Sequence, residues 1–156
     1  MRKRNGYNPK YYDREKWPKG EWDNEPDELE WEHKGLKCAI FRNSFGGLCG
    51  YVGVDRTHPY WEKEYSDLQD ISVHGGLTFS SWIDEKKELY YLGFDCCHFG
   101  DVSPYDKVMD PSLVSSNDPG RSYKNMEYVK NEVEGLAEQV LQASKETTID
   151  KTTLFN

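Results

Sequence analysis

The distribution of apolar positions along the chain predicts four strands followed by one helix. Residues 36–42 and 48–54 are apolar runs on either side of a Gly-containing turn, which predicts a β-hairpin. In residues 72–80 and 89–97 the apolar side chains fall on one face of an extended chain, since strand side chains alternate between faces. We therefore predict two more strands, joined by an antiparallel return.

Near the carboxyl end, apolar residues recur at spacings of three and four, which predicts an amphipathic helix over residues 125–144. The members of this stripe are Met126, Val129, Val133, Leu136, Val140 and Leu141. Such a stripe is buried best against the apolar face of a sheet. The predicted fold is therefore α+β, a mainly antiparallel sheet of about four strands with the helix packed on one face, and we expect the polar site on the opposite face.

The rest of the chain shows neither the alternation of a strand nor the spacing of a helix, and its proline and glycine content favours irregular structure. We predict an irregular arm of charged and aromatic residues over 1–35, a single α+β domain over 36–144 and a polar, frayed tail over 145–156. Residues 55–70 are predicted to be a loop or a short irregular helix, and residues 99–121 are predicted to be a loop. The first of these loops is long enough to cover a site.

Composition narrows the class of protein. The 156 residues carry a net charge of -8, and 14% of them are aromatic, which supplies enough large side chains for a folded core. No apolar run approaches the roughly 18 residues of a membrane span, and no apolar stretch follows the basic start, so we expect neither a membrane protein nor a secretory signal. Four cysteines without a CxxC pair favour reduced thiols in a cytoplasm.

Charge is divided unevenly over the first 32 residues. Residues 1–20 hold seven Lys or Arg, whereas residues 21–32 hold seven acidic residues and no Lys or Arg. Basic residues interleaved with Tyr and Trp are the ingredients of a nucleic-acid contact, but the net charge of the whole chain opposes it, so nucleic acid is not an expected partner. The acidic stretch would suit a basic protein partner or would simply be solvated.

The densest group of ionisable residues follows the last predicted strand. Asp95, His98 and Asp101 lie within seven residues, and His74 lies on the neighbouring predicted strand. Two imidazoles and two carboxylates form a plausible ligand set for a divalent metal, so all four are candidate metal ligands. In a site without metal, Asp95 would orient His98 as a general base, and His74 and Asp101 would bind the ligand. A third interpretation is structural, with these side chains satisfying backbone groups of the loop.

Three further residues are candidates for ligand binding. Arg56 and His58 lie in the loop over 55–70, which would place a cation and an imidazole above the site, although a lone loop histidine is also commonly just exposed. Thr78 shares the polar face of its predicted strand with His74. Cys97, next to His98, would be a thiolate nucleophile only if its surroundings lowered its pKa.

Several motifs together resemble a family of small phage and prophage proteins that have no established activity. The matching segments are residues 49–54, His58-Pro59, residues 73–78, residues 93–96 with His98 and Gly100-Asp101, and residues 123–136. The resemblance covers residues 36–141. It implies a phage origin and expression in a bacterial cytoplasm, and it places His74, Asp95, His98 and Asp101 at recurring polar positions of the family.

We therefore expect a phage accessory protein whose His/Asp pocket binds a small polar ligand, with nucleotides as one class; hydrolysis of that ligand and binding without catalysis both stay open. The residue pattern leaves the ligand, the divalent metal and the oligomeric state open. The alternative is a non-enzymatic inhibitor that binds a host protein through the acidic, aromatic surface.

Overall fold

The computed structural model describes residues 10–154, and the side chains of residues 10–146. Within that part of the chain the fold is α+β, as predicted, with an antiparallel sheet of five strands in the order β1-β2-β3-β5-β4. The strands are β1 Glu28–His33, β2 Leu36–Arg42, β3 Leu48–Val54, β4 Phe79–Trp82 and β5 Tyr90–Asp95. The helices are α1 Pro104–Met109 and α2 Met126–Leu154, and four short 3-10 turns lie at Arg14–Lys16, Glu21–Asn24, Tyr65–Asp67 and Pro111–Val114.

The main core lies between the sheet and α2. The predicted helical stripe is confirmed, because Val129, Val133, Leu136 and Val140 are wholly buried there. They pack with alternate residues of the central strands, whose side chains on this face are also buried. Helix and sheet approach closely at Gly50, where a Cβ atom would lie 2.5 Å from a methyl group of Val133. Each such aliphatic side chain contributes about 1.5–3 kcal/mol when it is fully buried.

Strand β1 corrects the prediction of an irregular arm over residues 1–35. Residues 28–33 pair with β2 along its whole length, with Trp31 opposite Cys38. The two strands are joined through Lys34 and Gly35, whose φ angles of +50° and +88° suit a tight hairpin turn. Of the rest of the predicted arm, residues 1–9 lie outside the described residues.

Three other predictions are also corrected. The strand predicted over 72–80 is wrong for most of its length, because β4 begins at Phe79 and a turn occupies residues 74–75. Gly75 and Gly76 have φ angles of +68° and +79°, a region that residues with side chains enter only at a cost. The tail predicted over 145–156 is helical as far as Leu154, because α2 continues through it. Within the loop predicted over 99–121, α1 begins after the capping residue Ser103.

A buried guanidinium anchors the segment before α2. The side chain of Arg42 is wholly buried, and its Nε donates to Asp27 Oδ1 at 2.8 Å while its Nη1 donates to Tyr123 Oη at 2.8 Å. Tyr123 Oη donates in turn to Glu25 Oε1 at 2.6 Å, and Glu25 Oε2 accepts from the Met126 N–H at the start of α2. This Arg42 network holds Tyr123 and the Met126 amide, which lie on either side of Lys124, a residue of the site described next.

Candidate functional site

Three side chains predicted from the sequence meet at the end of β5. One ligand atom each of His74, His98 and Asp101 lies within 4.8 Å of the other two, and among the described residues this is the only group of its kind that could hold a metal ion. His74 reaches the group from the turn before β4, and the other two follow β5. The His-Asp cluster formed by these three residues lies beside the first turn of α2 and not, as predicted, on the face opposite the helix.

Asp101 is the buried centre of the His-Asp cluster. Its side chain is 2% exposed, and its carboxylate lies 2.9–3.0 Å from His74 Nε2. The backbone N–H of His98 donates to Oδ2 at 2.9 Å, and Lys124 Nζ lies 3.1 Å from Oδ1. Burial alone would raise the pKa of Asp101, but these three donors outweigh burial and hold the pKa below its usual value. The carboxylate is therefore ionised at neutral pH.

His74 joins the Asp101 carboxylate to a tyrosine of α2. Its Nδ1 lies 2.8 Å from Tyr128 Oη, and the two rings are perpendicular, with centroids 5.4 Å apart. Partial burial raises the pKa of Tyr128, so the phenol keeps its proton at neutral pH. Because an ionised carboxylate only accepts hydrogen bonds, Nε2 of a neutral His74 carries the proton and Nδ1 accepts from Tyr128.

His98 lies at the outer side of the cluster. Its Nδ1 lies 3.1 Å from the backbone oxygen of Asp95, which can only accept, so Nδ1 carries a proton. In the neutral ring Nε2 then keeps a lone pair, and it has no hydrogen-bond partner among the described residues. The ring packs against Gly75, where a Cβ atom would lie 2.5 Å from Nδ1. Gly75 is thus required both by its backbone conformation and by the approach of His98.

Asp95 supports His98 but lies outside the metal-competent group. Its Oδ2 accepts from Thr78 Oγ1 at 3.0 Å, and its Oδ1 accepts from the Cys97 N–H at 3.0 Å. Oδ1 also lies 3.3 Å from His98 Nδ1. Partial burial raises the pKa of the Cys97 thiol, which disfavours a thiolate nucleophile there. All four cysteines are free.

An open cleft of about 430 Å³ adjoins the His-Asp cluster, and His98 and Asp101 form part of its lining. Two aromatic rings also line it, Phe99, which is wholly exposed, and Phe45, which is 43% exposed. Arg121 adds a guanidinium that has no side-chain partner among the described residues. The cleft therefore combines a free cation, two exposed rings and an imidazole with two carboxylates, Asp101 and Asp106, each of which accepts hydrogen bonds from within the protein.

The structure does not bring Arg56 and His58 to the cluster. His58 Nε2 lies 2.8 Å from the backbone oxygen of Val140, and burial lowers the pKa of His58. Val140 lies 12 residues beyond Tyr128 on α2, which is about 18 Å along a helix. The Arg56 guanidinium lies over the Trp61 ring at 5.9 Å. His58 thus holds the 55–70 loop against α2, whereas Arg56 contacts a ring of the same loop.

Sequence reasoning missed Lys124, Tyr128 and Arg121, which come from the segment before α2 and from its first turn. A parallel bridge between Asp101 and Ser122 brings that segment to the cluster. No local pattern marks these residues, because each is one charged or aromatic residue among many in a polar stretch.

The acidic stretch over residues 21–32 is partly neutralised by the domain itself. Glu25 and Asp27 bind Arg42, and Glu32 Oε1 lies 2.7 Å from Lys37 Nζ. The surface is therefore less negative than the sequence suggests, and the alternative of a host-protein inhibitor gains no specific support from it.

No protein-family model matches the chain, and no curated protein or solved structure is significantly similar to it. The resemblance to phage proteins remains a prediction, and the site is interpreted from its geometry. Within residues 10–154 no helix is long and apolar enough to cross a membrane.

Proposed function

We propose that this protein is a phage accessory protein of the bacterial cytoplasm that binds a small anionic ligand with a flat ring system, of the nucleotide class, and hydrolyses it. The observation that carries the proposal is the cleft beside His98, where Arg121 and two exposed phenylalanines converge. Three properties of its lining support this ligand class.

The first property is the unpaired guanidinium of Arg121. Arg presents a planar set of N–H donors that matches a phosphate or carboxylate, and hydrogen bonds between charged groups are the stronger ones. Arg14 and Arg42 are both bound to carboxylates within the protein, whereas Arg121 keeps its donors for a ligand. This arrangement favours an anion at that side of the cleft.

The second property is the exposure of Phe99 and Phe45. A fully exposed Phe contributes nothing to the core, and its burial by a ligand would contribute about 1.5–3 kcal/mol. Phe45 is held by an edge contact with Tyr12 and a tilted contact with Tyr105, with ring centroids 5.2 and 5.8 Å away. Exposed rings beside a cation are the usual platform for a nucleobase.

The third property is the lone pair on His98 Nε2. With Nδ1 held by the Asp95 backbone oxygen, Nε2 can accept a proton from a water molecule in the cleft. The water oxygen then bonds to the phosphorus of the ligand's ester, the ester bond breaks, and His98 returns the proton to the leaving oxygen. General acid-base catalysis of this kind contributes about 10²–10⁴-fold to a rate.

Binding of nucleoside monophosphates, nucleosides and inorganic phosphate by isothermal titration calorimetry tests the proposal. Arg121→Gln should weaken monophosphate binding about tenfold or more, because it removes charge-assisted hydrogen bonds, and should leave nucleoside binding unchanged. Arg56→Gln is the matched control, since that guanidinium lies over Trp61. Equal affinities of the two variants for monophosphates would refute the anion site.

The ring platform is tested in the same assay. Phe99→Ala should weaken both nucleoside and nucleotide binding about tenfold, because it removes one stacking surface. Met109→Ala, which also removes an exposed apolar side chain, is its control. His98→Asn should retain ligand binding and lose hydrolysis, measured as release of inorganic phosphate. Unchanged hydrolysis in that variant would exclude His98 as the reacting base.

A further inference from the structure

We propose that His74, His98 and Asp101 bind one divalent first-row transition-metal ion, with its open coordination positions directed to the cleft. The inference deepens the proposed function and changes the role of His98: its Nε2 would be a metal ligand, and the ion, in place of the free imidazole, would activate the water that attacks the ligand. The role of the ion in hydrolysis depends on the proposed function, whereas the binding of the ion does not.

The first argument is the hydrogen bonding behind the two imidazoles. A metal-binding His usually donates its other ring N–H to an oxygen, which fixes the ring and the tautomer. His98 Nδ1 donates to the Asp95 backbone oxygen, and His74 Nδ1 lies 2.8 Å from Tyr128 Oη. Both rings thus have an oxygen partner at Nδ1. His98 Nε2 has no partner among the described residues, and His74 Nε2 is directed at the Asp101 carboxylate.

The second argument is the spacing of the candidate ligand atoms. His74 Nε2 lies 2.9–3.0 Å from the two oxygens of Asp101. Adjacent ligands of an octahedral ion with bonds of roughly 2.1 Å are about 3.0 Å apart. A metal can therefore replace the proton that Nε2 shares with Asp101, and Nδ1 then takes up the proton and donates to Tyr128. His98 completes the set from within 4.8 Å.

The third argument is the type of ligand. Two imidazoles and one carboxylate on one side of an ion form the facial set that leaves the remaining positions open. His98 and Asp101 also line the cleft, so those open positions face the proposed ligand site.

Lys124 explains how the Asp101 carboxylate is neutralised without the ion. Its Nζ lies 3.1 Å from Asp101 Oδ1, and it also donates to Ser122 Oγ at 2.8 Å and to the Ser122 backbone oxygen. The ammonium therefore competes with a metal for the carboxylate. When a metal binds, Lys124 can keep its bonds to Ser122 while it releases Asp101.

Titration of chelator-treated protein with Co²⁺, followed by its visible absorption and by competition with Zn²⁺, tests the site. We expect one saturable site per chain, lost in His74→Gln and retained in His33→Gln. His33 is the matched control because it is bound to Glu134 and Glu138, away from the cluster. Absence of a saturable site, or equal affinities in these two variants, would overturn the inference.

Two substitutions at the edge of the cluster distinguish an effect on metal binding from an effect on folding. Tyr128→Phe should weaken Co²⁺ binding about 10–100-fold, because it removes the oxygen behind His74. Lys124→Met should tighten binding at least about fivefold, because it removes the competing ammonium. A structural role alone would not move affinity in opposite directions, so changes of the same sign would contradict the inference.

The two proposals can fail separately. Metal affinity is measured without nucleotide, and the effect of Arg121→Gln on nucleotide binding is measured in chelator-treated protein. A Co²⁺ site with no effect of Arg121→Gln would refute the proposed ligand class and leave the metal site intact. An Arg121-dependent nucleotide affinity without a Co²⁺ site would refute the metal alone.

Discussion

Replacing Gly75 by Ala should displace the His98 ring, whereas the same change at Gly76 should not. Both glycines have positive φ angles, so both variants bear the cost of a left-handed alanine, about 1–2 kcal/mol. Only at Gly75 does the new Cβ meet another group, 2.5 Å from His98 Nδ1, while at Gly76 no heavy atom lies within 4 Å. The pair therefore separates backbone strain from the effect on the site.

The magnitude follows from these contacts. To restore a normal separation of roughly 3.5 Å, the His98 ring must move by about 1 Å, which breaks the bond from Nδ1 to the Asp95 backbone oxygen. Loss of that bond costs about 1 kcal/mol, so Gly75→Ala should lose about 2–3 kcal/mol of unfolding free energy against about 1–2 for Gly76→Ala. A shift of 1 Å is also enough to reduce function about 100-fold.

Urea denaturation measures the unfolding free energies, and Co²⁺ titration measures the site. The ring-proton resonances of His98 in NMR spectra add a readout that does not depend on a metal. We expect Gly75→Ala to be the less stable variant, to shift those resonances and to lose Co²⁺ affinity, while Gly76→Ala keeps both site properties. Indistinguishable variants would show that Gly75 does not position His98.

Two further predictions concern buried charge. Arg42→Met should lower the unfolding free energy by about 3–5 kcal/mol in urea denaturation, because it leaves Glu25 and Asp27 without their buried partner; a loss below about 1 kcal/mol would contradict this role. Acid should destabilise the protein through Asp27 and Asp101. Burial alone would raise the pKa of both carboxyls, but their donors outweigh it and lower both values. Their stabilisation is therefore complete well above the unfolded pKa of about 3.9 and is lost as the pH falls through the folded values. Urea denaturation from pH 6 downwards should show this decline, and Asp101→Asn should reduce its slope; an unchanged slope would argue against Asp101.

The elements with strong apolar periods could be predicted from the sequence. The α2 stripe and the alternation in β5 follow burial in the main core. Strands β2 and β3 are continuous apolar runs because both of their faces are buried, the second face in a smaller cluster of Ala39, Phe41, Cys49 and Tyr51. Strand β1 carries the same signal, because Leu29 and Trp31 alternate with glutamates and a turn at Lys34-Gly35 follows. Its position at the sheet edge leaves its glutamates in water. Because these glutamates continue the acidic stretch before them, the strand was not recognised in the sequence.

The false strand over 72–80 has a different cause. Val73 and Leu77 do pack against the main core, but they do so from a turn, and apolar contact alone does not distinguish a loop from a strand. The positive φ angles of Gly75 and Gly76 exclude a strand there, and the pair of adjacent glycines was the available signal.

Some residues of the candidate site could likewise be predicted from the sequence, and others could not. His98 and Asp101 are near each other because they are three residues apart, and His74 joins them through the turn before β4. Lys124 and Tyr128 reach Asp101 and His74 only because the chain returns along the Asp101–Ser122 bridge, which depends on tertiary structure. Local sequence patterns therefore identify His74, His98 and Asp101, but they do not identify Lys124 and Tyr128, which form hydrogen bonds or ion pairs with them.

The position of Glu25 couples the amino-terminal part of the domain to the site. One oxygen of this carboxylate accepts from Tyr123, and the other accepts from the first amide of α2. Opening of the segment before β1 would therefore release the helix start, two residues from the Tyr128 that supports His74. Amide hydrogen exchange at Met126 should consequently occur with the same free energy as opening around Arg42, which makes the segment and the site wall one cooperative unit.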